Sequence, residues 1–284
     1  MYYNAALVLE GGGMRGNYTA GVLDAFIAND IQFKCVIGVS AGALAGVNFV
    51  SKQFRRTFEV NCRYSKDKDY ISFSRLLRKE NFFNLEFLFA DHGFEWHNFD
   101  ERAYSRSETN FIPVATRLND GKMVYFEKPI GQELEDALCA SATLPFIAKP
   151  YQTSQGLCMD GGFSDSIPYD LAQKLGFNKI VVVRTQERSY RKKPTSRVMK
   201  ELYLHEFKEY PDFAKAAITR PQVYNRSLNI LDGLEELGEV YCIAPQEEVK
   251  VGRLERNPER ISELYHVGFD DAIKAQSEML TYLR

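Results

Sequence analysis

The sequence predicts an α/β protein, a three-layer α/β/α sandwich around a mostly parallel sheet. Two short apolar runs, AALVLE at 5–10 and FKCVIG at 33–38, are typical of buried strands. Each run is followed by a segment whose apolar residues recur at helical spacing, at 17–28 and at 41–50. Strands and helices that alternate in this way predict parallel strands with helices packed on both faces of the sheet.

The rest of the chain yields further elements from the same apolar spacing and from turn residues. The predicted helices are 71–89, 131–144, 168–176 and 258–284, and the predicted strands are 157–162, 179–185, 240–245 and a pair within 111–128 joined by a turn at 119–121. Residues 197–237 predict a helical region that breaks near Pro211 and Pro221, because proline lacks the N–H that a helix interior needs.

No linker or internal repeat separates these parts, so the chain is predicted to form one domain, 1–284. Within it the motif-bearing part spans about 5–185, and a C-terminal extension of helices and a strand spans about 197–284.

Composition argues against a nucleic-acid-binding, membrane-spanning, secreted or disulfide-rich protein. A net charge of −2 on 284 residues gives no broad electrostatic attraction to nucleic acid. No apolar run is long enough for a transmembrane segment, and the N-terminus lacks the pattern of a secretory signal. The five cysteines are scattered, odd in number and without a CxxC pair. They argue against a disulfide scaffold or a zinc site and favour a reducing, cytoplasmic setting.

The stretch LVLEGGGMRGNYTAGVLDAF at 7–26 sets glycines between a strand and a helix. Gly11, Gly13 and Gly16 fit the dinucleotide-binding spacing, which also needs an acidic residue at the end of the second strand. That strand ends without a carboxylate, and the nearest one, Asp30, precedes it. No GK[ST] follows the glycines, so the stretch is not a phosphate-binding Walker loop either.

The second strand ends instead in a GxSxG sequence, Gly38 to Gly42, with Ser40 at its centre. A serine on a strand-to-helix turn needs small neighbours, because the turn is too sharp for larger side chains. The turn places the hydroxyl at the N-terminus of the next helix, where backbone N–H groups and the helix dipole favour negative charge.

A third glycine motif, Asp160-Gly161-Gly162, follows another predicted strand. A carboxylate on such a turn can act as the base of a serine if it is fixed at hydrogen-bond distance in a dry site. Each motif by itself also suits a plain tight turn, but together all three fall at strand ends, where α/β sheets place their sites.

The three motifs, in this order, resemble those of the patatin-like phospholipases, which are lipid acyl hydrolases with a Ser–Asp dyad. The resemblance covers about the first 185 residues and is closest to compact bacterial members. The matching segments are GGGMRG (11–16), GVSAG (38–42) and DGG (160–162), supported by ASATLPF (140–146) and SIP (166–168).

The resemblance implies a role for each matching residue. It makes Ser40 the nucleophile and Asp160 the base, and it implies no metal or organic cofactor. It assigns the oxyanion-hole loop to Gly11, Gly12, Gly13, Arg15 and Gly16. Arg15 is expected to fix that loop, and any side chain added at Gly12 or Gly13 is expected to crowd the substrate.

Two alternative functions stay open at the level of the sequence. One is a Rossmann-like nucleotide-binding protein without hydrolase activity. The other is an esterase with a Ser-His-Asp triad, in which folding brings a histidine to the serine. The candidate histidines are His92, His97, His205 and His266.

Three further features favour structural explanations. The aromatic run at 81–89 suits a core helix better than a lipid-facing lid, and the basic run RSYRKKP at 188–194 suits a solvated loop better than a phosphate- or headgroup-binding patch. Asp165 and Asp170 suit a turn acid and an acid at a helix N-terminus.

The sequence therefore predicts a hydrolase of carboxylic esters, most of all those of lipids, that acts through an acyl-serine intermediate. Its partners are expected to be a lipid or another ester and, transiently, a membrane surface.

Overall fold

The structure is a computed structural model that describes residues 2–64 and 98–284. The strands in these ranges are β1 (Tyr2–Leu9), β2 (Gln32–Val39), β3 (Asn110–Arg117), β4 (Met123–Tyr125), β5 (Tyr151–Thr153), β6 (Gly156–Asp160), β7 (Ile180–Val183) and β8 (Tyr241–Ile243). They form one sheet in the order β5-β6-β3-β2-β1-β7-β8, with β4 also paired to β3. Four pairs are parallel: β3–β2, β2–β1, β1–β7 and β7–β8. Three pairs are antiparallel: β3–β4, β3–β6 and β5–β6.

The described helices are α1 (Gly16–Ala28), α2 (Ala41–Val50), α3 (Arg56–Tyr64), α4 (Glu101–Arg106), α5 (Gly131–Ala142), α6 (Tyr169–Lys174), α7 (Arg197–Glu206), α8 (Pro211–Glu236) and α9 (Pro258–Tyr282). Short 3-10 turns lie at Gly13–Arg15 and Gly161–Phe163.

Side chains of β1 alternate between two apolar layers, as the period of a strand requires. Leu7 and Leu9 belong to the layer that includes α1, α2 and α9. Ala6 and Val8 belong to the layer on the opposite face, which includes α6 and α8. The predicted three-layer α/β/α arrangement around a mostly parallel sheet is therefore confirmed.

One predicted helix break is wrong. The predicted break before Pro211 is present, and this proline begins α8, where a missing N–H is harmless. The predicted break near Pro221 is absent, because α8 continues through that residue to Glu236. Packing on both sides of the proline holds the helix together, because tertiary contacts supply most of a helix's stability. The buried residues that provide this packing are Phe213, Ala214, Ala217, Tyr224, Leu228 and Leu231.

The short elements were not predicted from the sequence. They are the strand β5 and the helices α3 and α4, which are too short or too polar for a clear apolar period. The predicted helix at 71–89 and the aromatic run at 81–89 lie outside the described residues.

The C-terminal helix α9 packs closely against the N-terminal helix α1 through two glycines. A Cβ atom added to Gly21 would lie 2.0 Å from the carbonyl oxygen of Tyr265, and one added to Gly268 would lie 2.1 Å from that of Tyr18. Both distances are far shorter than any ordinary contact, so the two backbones can approach only because both positions lack a side chain. The last helix of the chain is thereby built into the layer that covers β1 and β2.

We expect Gly268→Ala to lower the free energy of unfolding by about 1–3 kcal/mol, because the added methyl group overpacks a contact with the backbone of α1. Urea denaturation followed by circular dichroism measures the change. The matched control is Gly233→Ala in α8, where an added Cβ meets nothing within 4 Å. There alanine is expected to stabilise the helix by about 0.5–1 kcal/mol. Equal stabilities of the two variants would contradict the close approach of α1 and α9.

Candidate active site

The glycine-rich loop and the GxSxG turn leave the sheet side by side. β1 and β2 are adjacent and parallel, with Leu9 opposite Gly38, so the loops that follow them lie at the same edge of the sheet. This is the carboxyl edge, where open α/β sheets place their ligands.

Ser40 occupies the turn between β2 and α2 with φ 55° and ψ −123°. A non-glycine residue rarely adopts a positive φ, and such strain is typical of functional turns. The Ser40 carbonyl accepts the N–H groups of Ala43 and Leu44 at 2.9 and 3.1 Å, so the residue caps the helix. The side chain takes no part in that cap, and only 8% of the residue is exposed. The sharp strand-to-helix turn predicted from the motif is present.

Ser141, at the end of α5, holds the backbone of this turn. The Ser40 N–H donates to Ser141 Oγ at 2.9 Å, and the Ser141 hydroxyl donates to the carbonyl of Val114 in β3 at 2.6 Å. The contact therefore fixes the turn to the centre of the sheet. Ser141 stands within the segment ASATLPF, and its signal was a hydroxyl in an otherwise apolar helix end.

Missing side chains let the glycine-rich loop touch the serine turn. A Cβ atom added to Gly11 would lie 3.0 Å from Ser40 Cβ, and one added to Gly42 would lie 2.4 Å from the carbonyl oxygen of Leu9. The two loops are thus in backbone contact. The other predicted glycines of these two loops at which an added Cβ would have a contact shorter than 3 Å are Gly12, Gly13, Gly16 and Gly38.

The two central glycines of the loop face the protein on their Cβ side. A Cβ atom on Gly12 would lie 2.8 Å from Thr185 Oγ1, and one on Gly13, at φ +58°, would lie 2.5 Å from the carbonyl oxygen of Arg253. A side chain here would collide with the protein, and the expectation that it crowds the substrate stays a prediction. The N–H groups of Gly12 and Gly13 donate to no backbone carbonyl of the described residues.

The short antiparallel pair of β3 and β6 places Asp160 at the same edge of the sheet as the serine turn. Val39 lies opposite Val114 in the β2–β3 pair, and Ala115 lies opposite Asp160 in the β3–β6 pair. The backbones of Ser40 and Asp160 are therefore separated by β3, that is by about two strand spacings or ~10 Å. No hydrogen bond joins the two side chains in the described structure.

The Asp160 turn is buried and fully anchored. The residue is 2% exposed, and its Oδ1 accepts the Gly162 N–H at 2.8 Å. Its own N–H donates to the Thr143 carbonyl at 2.8 Å, and its carbonyl accepts Thr116 Oγ1 at 2.9 Å. A Cβ on Gly161 would lie 2.3 Å from a backbone oxygen of β3, so the turn is pressed against that strand.

Glu10 is a residue of this region that sequence reasoning missed. It directly precedes the glycines, is 2% exposed, and accepts the Thr185 N–H at 2.7 Å and the Tyr224 hydroxyl at 2.6 Å. It therefore ties the start of the loop to the end of β7 and to α8. The available signal was a carboxylate at the end of an apolar run.

Arg15 contacts the glycine loop through its backbone, since its N–H donates to the Gly12 carbonyl at 3.4 Å. Its side-chain Nε is buried without a hydrogen-bond partner among the described residues, and the idea that Arg15 fixes the loop stays a prediction. Asp165 and Asp170 do lie as expected. Asp165 Oδ1 accepts the Ile167 N–H within a turn at 2.9 Å, and Asp170 pairs with Lys174 at the start of α6. Burial raises the pKa of Asp165 to about 6.

Within the described residues, no hydrogen bond joins a histidine to Ser40 or Asp160. His205 and His266 are exposed on α7 and α9, and the His266 ring lies 6.3 Å from that of Phe58 of α3. His92 and His97 lie outside the described residues.

The described residues contain no group of three or more His, Cys, Asp or Glu side chains arranged to hold a metal ion. The helices of this part have a further common property. None of its helices has the length and apolar character of a membrane span.

Known proteins resemble both the sequence and the fold. YjjU of Escherichia coli (strain K12), described as an uncharacterized protein, is 33% identical over 184 residues, 63% of this chain and 51% of the relative. The chain thus spans about half the length of the curated relative that it matches. The crystal structure of VipD from Legionella pneumophila shares the fold, with a TM-score of 0.50 and 11% identity over 97% of this chain and 67% of that one.

Family models match both parts of the chain. Residues 210–284 match a domain of unknown function (DUF6363). Residues 7–172, more than half of the chain and all three glycine motifs, match the model described as patatin-like phospholipase. The chain therefore belongs to the patatin-like phospholipase family, as the motifs predicted.

Proposed function

We propose that the protein hydrolyses carboxylic esters of lipids through an acyl-serine intermediate, with Ser40 as nucleophile and Asp160 as base. The observation that carries the proposal is the strained Ser40 turn at the N-terminus of α2, packed against a glycine loop with open N–H groups. This combination presents a hydroxyl and hydrogen-bond donors to the same small region.

In the first step Ser40 Oγ attacks the ester carbonyl carbon while Asp160 takes its proton. The tetrahedral intermediate then collapses to the acyl-serine, and the leaving alcohol takes the proton from Asp160. Water attacks the acyl-serine while the same carboxylate takes its proton, and the fatty acid leaves as Asp160 returns that proton to Ser40 Oγ. No hydrogen bond joins the Ser40 and Asp160 side chains in the described residues, and such bonds often shorten only when a substrate is bound.

The negative charge on the carbonyl oxygen is stabilised in the same region by backbone donors. The N–H groups of Gly12 and Gly13 supply the proposed oxyanion hole, and the N-terminus of α2 adds a favourable dipole. Rigid donors are effective because they need no reorganisation during the reaction.

The nucleotide-binding alternative is less well supported. It needs a carboxylate at the end of β2, where the chain instead has the strained serine turn. The triad alternative is decided by the histidine variants below.

The remaining expectations belong to the same proposal. We take 1–284 as one domain, supported by the glycine contact of α9 with α1. A transient membrane contact follows from a lipid substrate. A reducing, cytoplasmic setting is supported by the five cysteines, which all lie in the described ranges and form no disulfide there.

Ser40 is expected to react covalently with a fluorophosphonate, because an activated serine attacks phosphorus as it attacks an ester. Intact-mass analysis should show a single adduct on the protein and none on Ser40→Ala. Ser141→Ala provides a second test, since Ser141 holds the Ser40 N–H and its loss should slow labelling without abolishing it. An adduct on a different serine would refute the assignment.

Asp160→Asn is expected to lower the rate of ester hydrolysis by ~10²–10⁴, the usual effect of losing a general base. Each single change of His92, His97, His205 and His266 to Gln should keep the rate within about tenfold, a barrier change of ~1.4 kcal/mol. Rates are measured on a soluble ester, with circular dichroism to confirm folding. A thousandfold loss in one folded histidine variant would instead establish a triad.

Gly13→Ala is expected to reduce stability and turnover together, because the new Cβ collides with the Arg253 carbonyl and φ is positive. Gly131→Ala is the matched control, with φ +54° and nothing within 4 Å of the added atom. It carries only the left-handed backbone cost of about 1–2 kcal/mol. Thermal unfolding and turnover per labelled serine measure both effects. If the two variants unfold at the same temperature, the Arg253 contact does not constrain the loop.

A further inference from the structure

Four cationic side chains lie beside the candidate site, where burial and neighbouring positive charge lower the pKa of three of them, Arg15, Lys192 and Arg220. Lys192 lies over the ring of Tyr224, one helical turn from Arg220. We call them the cation cluster: Arg15, Lys192, Arg220 and Arg253. Arg15 follows the glycine loop, Lys192 lies in the loop after β7, Arg220 lies in α8, and Arg253 precedes α9. All four are partly buried.

Contacts place the cluster between the two catalytic loops of the proposed mechanism. Arg220 Nη2 lies 2.8 Å from the position of a Cβ on Gly162, so this arginine covers the turn that carries Asp160. On the other side, the backbone carbonyl of Arg253 accepts the Met14 N–H at 3.0 Å, directly after the glycine loop. Arg220 is therefore placed at the turn of the acid, and the backbone of Arg253 at the glycine loop.

The four side chains lack the carboxylate partners that buried cations normally have. Among the described residues none of them lies within ion-pair distance of an Asp or Glu, and the Nε atoms of Arg15 and Arg220 are buried without a hydrogen-bond partner. Buried donors without partners are rare and costly. They point to a ligand that would satisfy them.

Nearby arginines differ from the cluster in having carboxylate partners. Arg184, with its side chain fully buried, pairs with Asp232 at 2.9 Å although its Nε also lacks a hydrogen-bond partner, and Arg191 pairs with the same carboxylate at 2.8 Å. Arg188 forms an ion pair with Glu235. The basic loop 188–194 is thus only in part the solvated loop expected from the sequence, because Lys192 turns inward and stacks over the Tyr224 ring at 3.2 Å.

Electrostatics within the cluster is unfavourable without a ligand. Burial and the charge of Arg253 lower the pKa of Arg220 to about 10. Burial, Arg220 and Arg253 also lower the pKa of the Lys192 ammonium group. Each positive charge therefore opposes the others, and an anion bound among them would relieve the repulsion and hydrogen-bond the open donors.

We propose that the cation cluster is a binding site for a phosphate group. Planar guanidinium groups bind phosphate oxygens in a bidentate manner, and Lys192 adds a point charge. A phosphate offers several acceptor oxygens in a compact tetrahedron, which suits donors that converge from four segments of the chain. The group can belong to the headgroup of the ester substrate or to free phosphate. The first case rests on the proposed function, since it requires an ester at Ser40.

The site also gives a role to the C-terminal part of the chain. Lys192, Arg220 and Arg253 all lie beyond the residues that match the patatin model, and the last two lie within the match to a domain of unknown function. That part would select the substrate or ligand, while the family motifs perform the chemistry.

The binding test uses the full chain with Ser40→Ala, which has no turnover, and inorganic phosphate as the probe at constant ionic strength. Calorimetric titration should show saturable binding that Arg220→Gln and Lys192→Met each weaken at least tenfold. The matched controls replace exposed cations of the same segments, Arg226→Gln in α8 and Lys193→Met in the loop after β7. Both should bind phosphate as tightly as the parent, the Ser40→Ala chain, does. Circular dichroism confirms that each variant is folded.

The second arm distinguishes the source of the phosphate. Hydrolysis of phosphatidylglycerol is compared with that of a diacylglycerol of the same acyl chains in the same detergent micelles. If the headgroup is the ligand, Arg220→Gln lowers the ratio of the two kcat/KM values at least tenfold, and Arg226→Gln leaves the ratio unchanged. If the ratio is unchanged in both while phosphate binding is lost only in Arg220→Gln, free phosphate is the ligand.

The proposal is overturned if phosphate does not bind, or binds equally to the parent, Arg220→Gln and Lys192→Met. Failure of the proposed function gives a different result, because the wild-type protein would then hydrolyse neither lipid. The phosphate titration of the Ser40→Ala chain still decides the site in that case.

Discussion

The position of β3 between β2 and β6 is the constraint on which the candidate site depends. Val114 pairs with the last residue of β2, accepts the hydroxyl that holds the Ser40 turn, and supplies the carbonyl against which Gly161 is pressed. Ala115, the next residue, pairs with Asp160. A shift of one residue in either register would turn side chains to the opposite face and separate the proposed nucleophile from its base. Two hydrophobic layers oppose such a shift, because both faces of the sheet are buried.

The strained Ser40 backbone and the unpaired N–H groups at this edge are tolerated because rigid contacts lie behind them. Ser40 keeps a positive φ, which costs roughly 1–3 kcal/mol, and the N–H groups of Gly12 and Gly13 forgo protein partners. Backbone-to-backbone contacts offset these costs, since Gly42 lies on the carbonyl of β1 and Gly13 on that of Arg253. Glycine is thus needed on the side of the loop that faces the protein, and the substrate side stays free as a consequence.

A feature could be predicted from the sequence when the residues that produce it are close together in the chain. The strands other than β5, the long helices and the Ser40 turn depend on local spacing and turn chemistry, and they were predicted with boundaries close to those observed. Glu10 and Ser141 were missed because their partners lie 175 and 101 residues away in the chain. Pro221 was misjudged for the same reason, since the packing that carries α8 through it comes from the sheet and not from neighbouring residues.

Charge and packing make the C-terminal part inseparable from the candidate site. Arg220 and Tyr224 lie one turn apart on α8, so the element that brings a cation to the Asp160 turn also supplies the hydroxyl that binds Glu10 below the glycine loop. Buried like charges oppose folding, and apolar contacts of the same helix with the sheet must outweigh them. A helix kept in place at that cost is explained if Arg220 binds the proposed phosphate. Arg220 lies against the turn that carries Asp160, so a phosphate bound there would lie beside the proposed base.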